Sequence, residues 1–440
     1  MVKKWLSILL VGLMALSVVA SGCINGNNST GSSTATKGPT PTKINILYTY
    51  TGSFSDPAKG KQAAQAQLQQ GAWVIYQVAG GTGLGVFEAV GDYLKANNKK
   101  MGPPFAIGVD SAQDWIKPGV IIASMMKRVD VGVYNAVKQA EENQFKGGVV
   151  ELGLKEGGVK LSTLQDVKAM FDSLPPDVKK KKLQELGFQN EQQLLDYLNK
   201  TRQQVPAWIW QAVDQLQQEI VSGKIVVPKA TSKDQIEALR KAQNLAEMEK
   251  LGKEWAKSNP EPQTYFNKTL NERQNTKNIA IVFDVGGRGD LSFNDMAYMG
   301  AERAVKDFGL KLTQLQSNSP NDYYTNLQTL AKSGKYDIII AVGFMMTDAV
   351  KKVAQEYPKQ RFVLIDGYDP KMPHNVQMVL FKENEGSALA GALASLIALN
   401  DGKNTIGIVL GMEIPVLYKF EGGYRFGAYW GLDYYKNHKH

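Results

Sequence analysis

Two stretches of this chain, separated by more than a hundred residues, share one texture of apolar and polar positions. From about 43 to 160, short apolar runs rich in β-branched residues (44–48, 73–78 and 106–109) alternate with amphipathic stretches at helical spacing (59–70 and 130–142). The alternation returns from 279 to 436, with strands expected at 279–283, 338–342, 362–365 and 405–410 and helices between them. Continuous apolar runs joined by helical crossovers predict an α/β fold with mostly parallel sheets covered by helices.

The intervening segment, 161–277, is written differently. It is rich in Gln, Glu and Lys, with apolar residues such as Leu183, Leu186, Leu194, Leu195 and Leu198 at helix spacing and few strand signals. A helical insert and linker is expected there. Within 231–277, Ile236, Leu239, Ala242, Leu245 and Met248 recur at the same spacing, favouring a polar helix over a structureless connector.

The N-terminus changes the picture by setting the compartment. Lys3-Lys4 precede an apolar run from 5 to 20 that ends in Ala20-Ser21-Gly22-Cys23. The run is shorter than the roughly 20 apolar residues a bilayer core needs, so 1–22 is expected to be a signal peptide. Cys23 is the expected lipidation site, and residues 23–42, almost all Asn, Gly, Ser, Thr, Pro and Lys, the expected flexible tether. With one cysteine in 440 residues there is no disulfide framework and no thiolate zinc site. The net charge of +9 is dispersed and not interleaved with aromatics, so a nucleic-acid partner is not expected.

Few residues suggest reaction chemistry. The three histidines, His374, His438 and His440, neighbour no candidate nucleophile, and the acidic residues show no metal-ligand spacing. No cofactor, no metal and no enzyme are expected. The run Gly80-Gly81-Thr82-Gly83-Leu84-Gly85 follows a strand and precedes a helix, yet its spacing matches neither a P-loop nor a dinucleotide fingerprint. It reads as a tight turn at the carboxyl end of a strand, where backbone amides can approach an uncharged polar ligand. Asp110, ending the strand at 106–109, is either a helix N-cap or a carboxylate facing that crevice, where it can accept from both hydroxyls of a cis-diol.

Several motifs together resemble one family. Phe54-Ser55-Asp56-Pro57-Ala58-Lys59-Gly60, the glycine run through Gly85, Ile107-Gly108-Val109-Asp110 and Ser124-Met125-Met126-Lys127-Arg128-Val129-Asp130 are similar to the second half of the basic membrane protein (BMP, PnrA-like) solute-binding proteins. The segment Val282-Phe283-Asp284-Val285-Gly286-Gly287-Arg288-Gly289-Asp290-Leu291-Ser292-Phe293-Asn294 resembles the beginning of that family's domain, yet it follows them, and 218–228 resembles the family's usual end. The chain therefore reads as circularly permuted, with 43–160 as the second half and 278–440 as the first. Trp73 and Ser111-Ala112-Gln113 depart from the family pattern.

The resemblance implies a two-lobed periplasmic-binding-protein fold of type I and a lipid-anchored binding component of an ABC importer. Its ligand would be a purine nucleoside or similar ribosyl heterocycle, and its partners the transporter's permease subunits and, through the lipid, the membrane. It implies Phe54 as one stacking face for a base and Tyr298 as the possible second. Gly81 would lie at the ligand, Asp110 and Lys127 would pair and hold the sugar, and Asp290, Ser292, Asn294 and Asp366 would read the base edge. Asp284 is expected to be structural. A nucleoside hydrolase and a ligand-sensing receptor are the alternatives.

Overall fold

The computed structural model describes residues 42–172, 174–258 and 277–438. The expected signal peptide, Cys23 and nearly all of the expected tether lie outside the described residues.

Two six-stranded sheets form two lobes. The strands are β1 (Asn45–Tyr50), β2 (Val74–Val78), β3 (Phe105–Asp110), β4 (Ile121–Lys127), β5 (Gly148–Leu152), β6 (Val159–Leu161), β7 (Asn278–Phe283), β8 (Lys311–Gln316), β9 (Ile338–Val342), β10 (Arg361–Ile365), β11 (Val376–Phe381) and β12 (Thr405–Leu410). The first sheet has the order β1-β12-β2-β3-β4-β6, parallel except where β6 runs against β4. The second, β5-β11-β10-β9-β7-β8, is parallel throughout. The central strands are buried along their whole length, as parallel sheets covered on both faces require. The edge strands β1 and β8 alternate between partly buried and exposed positions.

The first lobe is drawn from distant parts of the chain. β12 lies between β1 and β2, with Asn45 opposite Thr405 and Gly407 opposite Ile75. The helix Pro415–Asn437 follows β12, and near its end Lys436 Nζ donates to Thr42 O at 3.2 Å.

Among the described residues the backbone passes between lobes at 127–129, 152–159 and 381–383. After the last passage, the helix Glu383–Asn400 is buried nearly all round, between the first sheet and the helix Pro415–Asn437. That crossing is close because glycine allows it: a Cβ at Gly427 would lie 1.9 Å from Ala388 O, and one at Gly423 would lie 2.2 Å from Asn384 O. The passage at Glu383 is thereby held against the body of the first lobe.

Residues 164–258 form helices, the longest being Ala207–Val221 and Leu245–Ser258. They cover the first lobe. Trp115 meets Phe171 edge to face at 5.1 Å, and Arg202 reaches Ser162 O at 3.1 Å and Asp114 at 3.4 Å. The segment resembling the family's end is the tail of the Ala207–Val221 helix followed by irregular chain.

Candidate ligand-binding cleft

The carboxyl ends of the strands in both sheets converge on a cleft of about 340 Å³. Such ends are where open α/β sheets present side chains, because the helices that follow leave a crevice there. Each lobe contributes a strand-end aspartate whose backbone is left-handed, Asp110 at φ 63° after β3 and Asp366 at φ 67° after β10. A non-glycine residue in that region is strained by a kilocalorie or more, and such strain concentrates at functional sites. Both aspartates line the cleft.

Asp110 Oδ2 accepts from Ser292 Oγ of the second lobe at 2.5 Å, and Oδ1 accepts no hydrogen bond from the protein. Burial pushes the Asp110 carboxyl up to about 6, against the pull of Lys127 and the Ser292 bond. Asp366 instead accepts from Lys127 Nζ, so this contact also joins the lobes. Burial raises the Asp366 carboxyl as well.

Lys127, 2% exposed, is the charge at the centre of the site. Its Nζ lies 2.9 Å from one oxygen of the wholly buried Glu383, whose other oxygen is 2.5 Å from Lys419 Nζ. These approaches lack hydrogen-bond alignment at the carboxylate, so charge carries them. Burial works against the protonated lysine, but Asp366, Glu383 and Asp110 outweigh it and hold the Lys127 pKa above its ordinary value. The carboxyl of Glu383 is drawn down, its own burial being overcome by Lys127 and Lys419.

In the second lobe the loop before the helix Phe293–Phe308 folds on its own polar groups. Asp290 accepts from the backbone of Ser292 at 3.0 Å, Asn294 at 2.9 Å and Asp295 at 3.2 Å, capping that helix. Burial, with the Asp295 charge adding to it, pushes the Asp290 carboxyl up to about 7. Asn294 Nδ2 donates to Asp284 Oδ1 at 3.1 Å and Asp290 Oδ2 at 3.2 Å, while Asn294 Oδ1 is buried with no partner. Asp284 also accepts from Gly286 N at 2.9 Å, which fixes the start of the loop.

The walls are apolar. Phe54 lies over Gly411, where a Cβ would meet the ring at 2.3 Å. Phe293, Phe344, Ile414, Leu417 and Phe420 complete the lining. The cleft thus pairs aromatic and aliphatic surface with a few carboxylate and amide groups, the make-up of a small-molecule site.

The model of the PnrA-like ABC transporter substrate-binding proteins (Bmp) matches residues 40–193 and 277–430, more than half of the chain. The chain belongs to this family. An uncharacterized lipoprotein of Pyrococcus horikoshii is 51% identical over 150 residues, covering 34% of this chain and 37% of the relative. The ABC transporter nucleoside-binding protein BmpA of Lactococcus lactis is 37% identical over 153 residues, 34% of this chain and 42% of that protein. The matched part spans less than half the length of these relatives. A solute-binding protein of an ABC transporter system from Aeropyrum pernix K1 is 39% identical, with a TM-score of 0.33 over 36% of this chain and 44% of that one.

In this BMP-family chain, Phe54, Gly81, Asp110, Lys127, Asp290, Asn294 and Asp366 all line one cleft. Ser292 stands just behind it, holding Asp110. Three expectations need correction. Lys127 makes its ion pairs with Asp366 and Glu383, not with Asp110, because those two carboxylates flank it where the chain passes between lobes. Tyr298 does not line the cleft: Arg288 lies over its ring at 3.4 Å and its hydroxyl donates to Glu302, so the second lobe presents Phe344 instead. The glycine run makes room for protein before ligand. A Cβ at Gly83 would lie 1.7 Å from Gln77 Oε1, and Thr82 N donates to Phe54 O at 3.1 Å, so the turn seats the Phe54 loop.

Sequence reasoning passed over Glu383, Phe344 and the 411–420 wall. Glu383 sits in a run of ordinary helix formers, and its lysine partners are remote in sequence, so nothing local marks it. The departure Ser111-Ala112-Gln113 has a use: Ser111 Oγ and Gln113 Nε2 both donate to Leu291 O across the lobes, at 2.6 and 2.9 Å.

Proposed function

We propose that this protein is a lipid-anchored solute-binding component of an ABC importer whose lobes close on a purine nucleoside or similar ribosyl heterocycle. The observation that carries the reading is Asp110, a strained, buried carboxylate in the cleft with one oxygen engaged by Ser292 and the other accepting nothing from the protein. Ribose hydroxyls donating to it would favour its charged form, which burial disfavours. Asn294 lines the cleft beside Asp290, and Phe54 and Phe344 supply flat apolar surface for the ring, where stacking is worth about 1–3 kcal/mol per base. Lys127 acts through Asp366, fixing the second aspartate instead of touching the sugar. Ligand bridging both lobes would shift the population toward the closed form that a permease recognises.

The hydrolase reading lacks an activated nucleophile among the described residues, and no three acidic, histidine or cysteine side chains there gather as a metal site would require. The deciding experiment is calorimetry of the protein with guanosine, inosine and adenosine, followed by chromatography of the recovered ligand. Saturable binding with intact nucleoside is expected. Release of free base and ribose would replace this reading with the hydrolase.

We also propose that the motif order is a circular permutation with its break in the connection between the helix Pro415–Asn437 and β1. The support is the Lys436 to Thr42 contact and the place of β12 between β1 and β2.

A further inference from the structure

Just beyond Asp110 the first lobe makes a further contact with the second, and its geometry is fixed from within the first lobe. Ser111 Oγ and Gln113 Nε2 donate to the same atom, Leu291 O, at 2.6 and 2.9 Å. Both side chains are buried. The Gln113 amide is not free to turn: its Oε1 accepts from Gln77 Nε2 at 2.7 Å and from Val109 N at 2.9 Å, which leaves the NH2 end facing Leu291. Gln77 is oriented in turn, because its own Oε1 accepts from Ala79 N at 3.1 Å and occupies the space that a Cβ on Gly83 would need, 1.7 Å away. The glycine run at 80–85 thus acts at a distance, by admitting the amide that aims Gln113. The backbone is braced as well. Gln113 N donates to Ser124 Oγ at 3.0 Å, Ser124 Oγ donates to Asp114 at 2.7 Å, and Arg202 of the helical insert lies 3.4 Å from the same carboxylate.

The receiving residue is strained. Leu291 has φ 52°, a left-handed conformation that a bulky side chain avoids, so the loop does not favour this direction of its carbonyl by itself. Its amide donates to Asp295 Oδ2 at 3.0 Å, and the next residue, Ser292, carries the hydroxyl that holds Asp110. Donors fixed on the Leu291 carbonyl therefore set the place of the Ser292 hydroxyl one residue on. Ser111, Gln113 and Leu291 lie outside the lining of the cleft, whereas Asp110 is part of it, so their influence on a ligand passes through Asp110 and through the approach of the lobes.

We propose that Gln113, together with Ser111, is a positioning residue for ligand binding: it latches the Leu291 carbonyl across the lobes, favours the closed arrangement and keeps the Ser292 hydroxyl on Asp110. The effect on ligand rests on the nucleoside reading, and the effect on closure does not.

The sharpest test is Gln113→Glu. A carboxylate of the same shape still accepts from Gln77 and Val109, but it turns an acceptor toward the Leu291 carbonyl where the donor was, so the latch is reversed while the contacts within the lobe are kept. Closure is read from spin-label distances in the full chain carrying Cys23→Ser, Lys59→Cys and Asn318→Cys, with and without guanosine. Both labelled positions are exposed and follow the carboxyl ends of β1 and β8, the edge strands remote from the passages between lobes, so opening separates them. Gln113→Glu should move population from the short distance to a longer one, and Ser111→Ala should do so to a smaller extent, both with the circular dichroism of the unaltered protein. In stopped-flow measurements guanosine should leave Gln113→Glu about tenfold faster, with association not slowed. A residue that merely supports the fold would lower the fraction of protein able to bind and leave the dissociation rate alone. The proposal is overturned if folded Gln113→Glu keeps the distances of the unaltered protein in both conditions, or if bound guanosine leaves it no faster. Should Gln113→Glu fail to fold, Ser111→Ala decides, and unchanged distances there overturn the proposal. Absence of guanosine binding by the unaltered protein would count against the proposed function alone, because the ligand-free distances still judge the latch.

Discussion

The two lobes run the same backbone sequence of events and reach different electrostatic ends. In the first, β2 leads through the turn Gly80–Thr82 and a helix to β3 and Asp110; in the second, β9 leads through Phe344–Met346 and a helix to β10 and Asp366. Both aspartates sit at positive φ and both are held from the opposite lobe. Asp110 is held by a neutral hydroxyl and keeps an oxygen to offer, whereas Asp366 is committed to a buried lysine. The turns differ in the same spirit. Gly80 and Gly81 carry no side chain and let Phe54 come in from the neighbouring loop, while the second lobe supplies its aromatic ring from the turn itself as Phe344. One scaffold, used twice, thus leaves one carboxylate with an oxygen free in the cleft and ties the other to a lysine across the lobes.

The largest test of that division is Lys127→Met. It leaves Asp366 and Glu383 in the interior without their shared cation, and breaking a buried pair in this way costs about 3–5 kcal/mol. Urea unfolding should show a loss of that size, with part of it recovered by adding Glu383→Gln. A loss no larger than that of Ser292→Ala would mean that the two aspartates are held alike.

Next in size is Asp110→Ala, expected to weaken nucleoside binding by about 2–3 kcal/mol through loss of charge-assisted hydrogen bonds. The matching free base should be nearly insensitive. Equal losses for nucleoside and base would assign Asp110 to support of the fold.

The smaller effects appear with pH. The folded-state value of Asp110, about 6, exceeds its ordinary 3.8, so protonation favours the folded state. That contribution, on the order of 3 kcal/mol, is fully present below about pH 4 and disappears as pH rises through 6. Asp290 extends the window toward 7. The ligand-free protein should therefore lose stability between pH 4 and 7, and Asp110→Asn should flatten the lower part of the thermal-unfolding profile. Nucleoside affinity should move the opposite way and fall several-fold from pH 7.5 to 5, because the sugar needs the carboxylate. Affinity and stability rising together with pH would break the assignment.

Much of the fold was legible because the central strands are apolar from end to end. The runs expected at 338–342 and 405–410 are β9 and β12 as found, that at 73–78 differs from β2 by one residue at its start, and that at 106–109 is one residue short of β3 at each end. The edge strand β8 was not read as a strand, because Lys311-Leu312-Thr313-Gln314-Leu315-Gln316 is half polar and pairs on one side only. In the site, single residues at strand ends were readable from motif and position, but their partners were not. Lys127 and Asp366 are 239 positions apart, and nothing near either names the other. Tyr298 misled for a local reason: it lies one helical turn beyond Asn294, so spacing alone puts it on the same face, whereas its ring packs on Arg288 and its hydroxyl bonds Glu302 away from the cleft.

The position of β12 bears on how this molecule comes to be folded. A sheet that needs residue 405 between residues 45 and 75 cannot zip up as the chain is made. Until residue 410 has emerged, β1 has no neighbour and β2 has a bare edge, both open to pairing with another chain. The second lobe is also late, since β7 to β11 all follow residue 277, so neither sheet is complete in the first half of synthesis. Contacts spanning more than 300 residues make the final closure a slow, loop-limited event. On the export expected from the N-terminal sequence, the long unpaired interval would coincide with the time the chain must remain unfolded to be moved, so an arrangement that delays folding would be no handicap there.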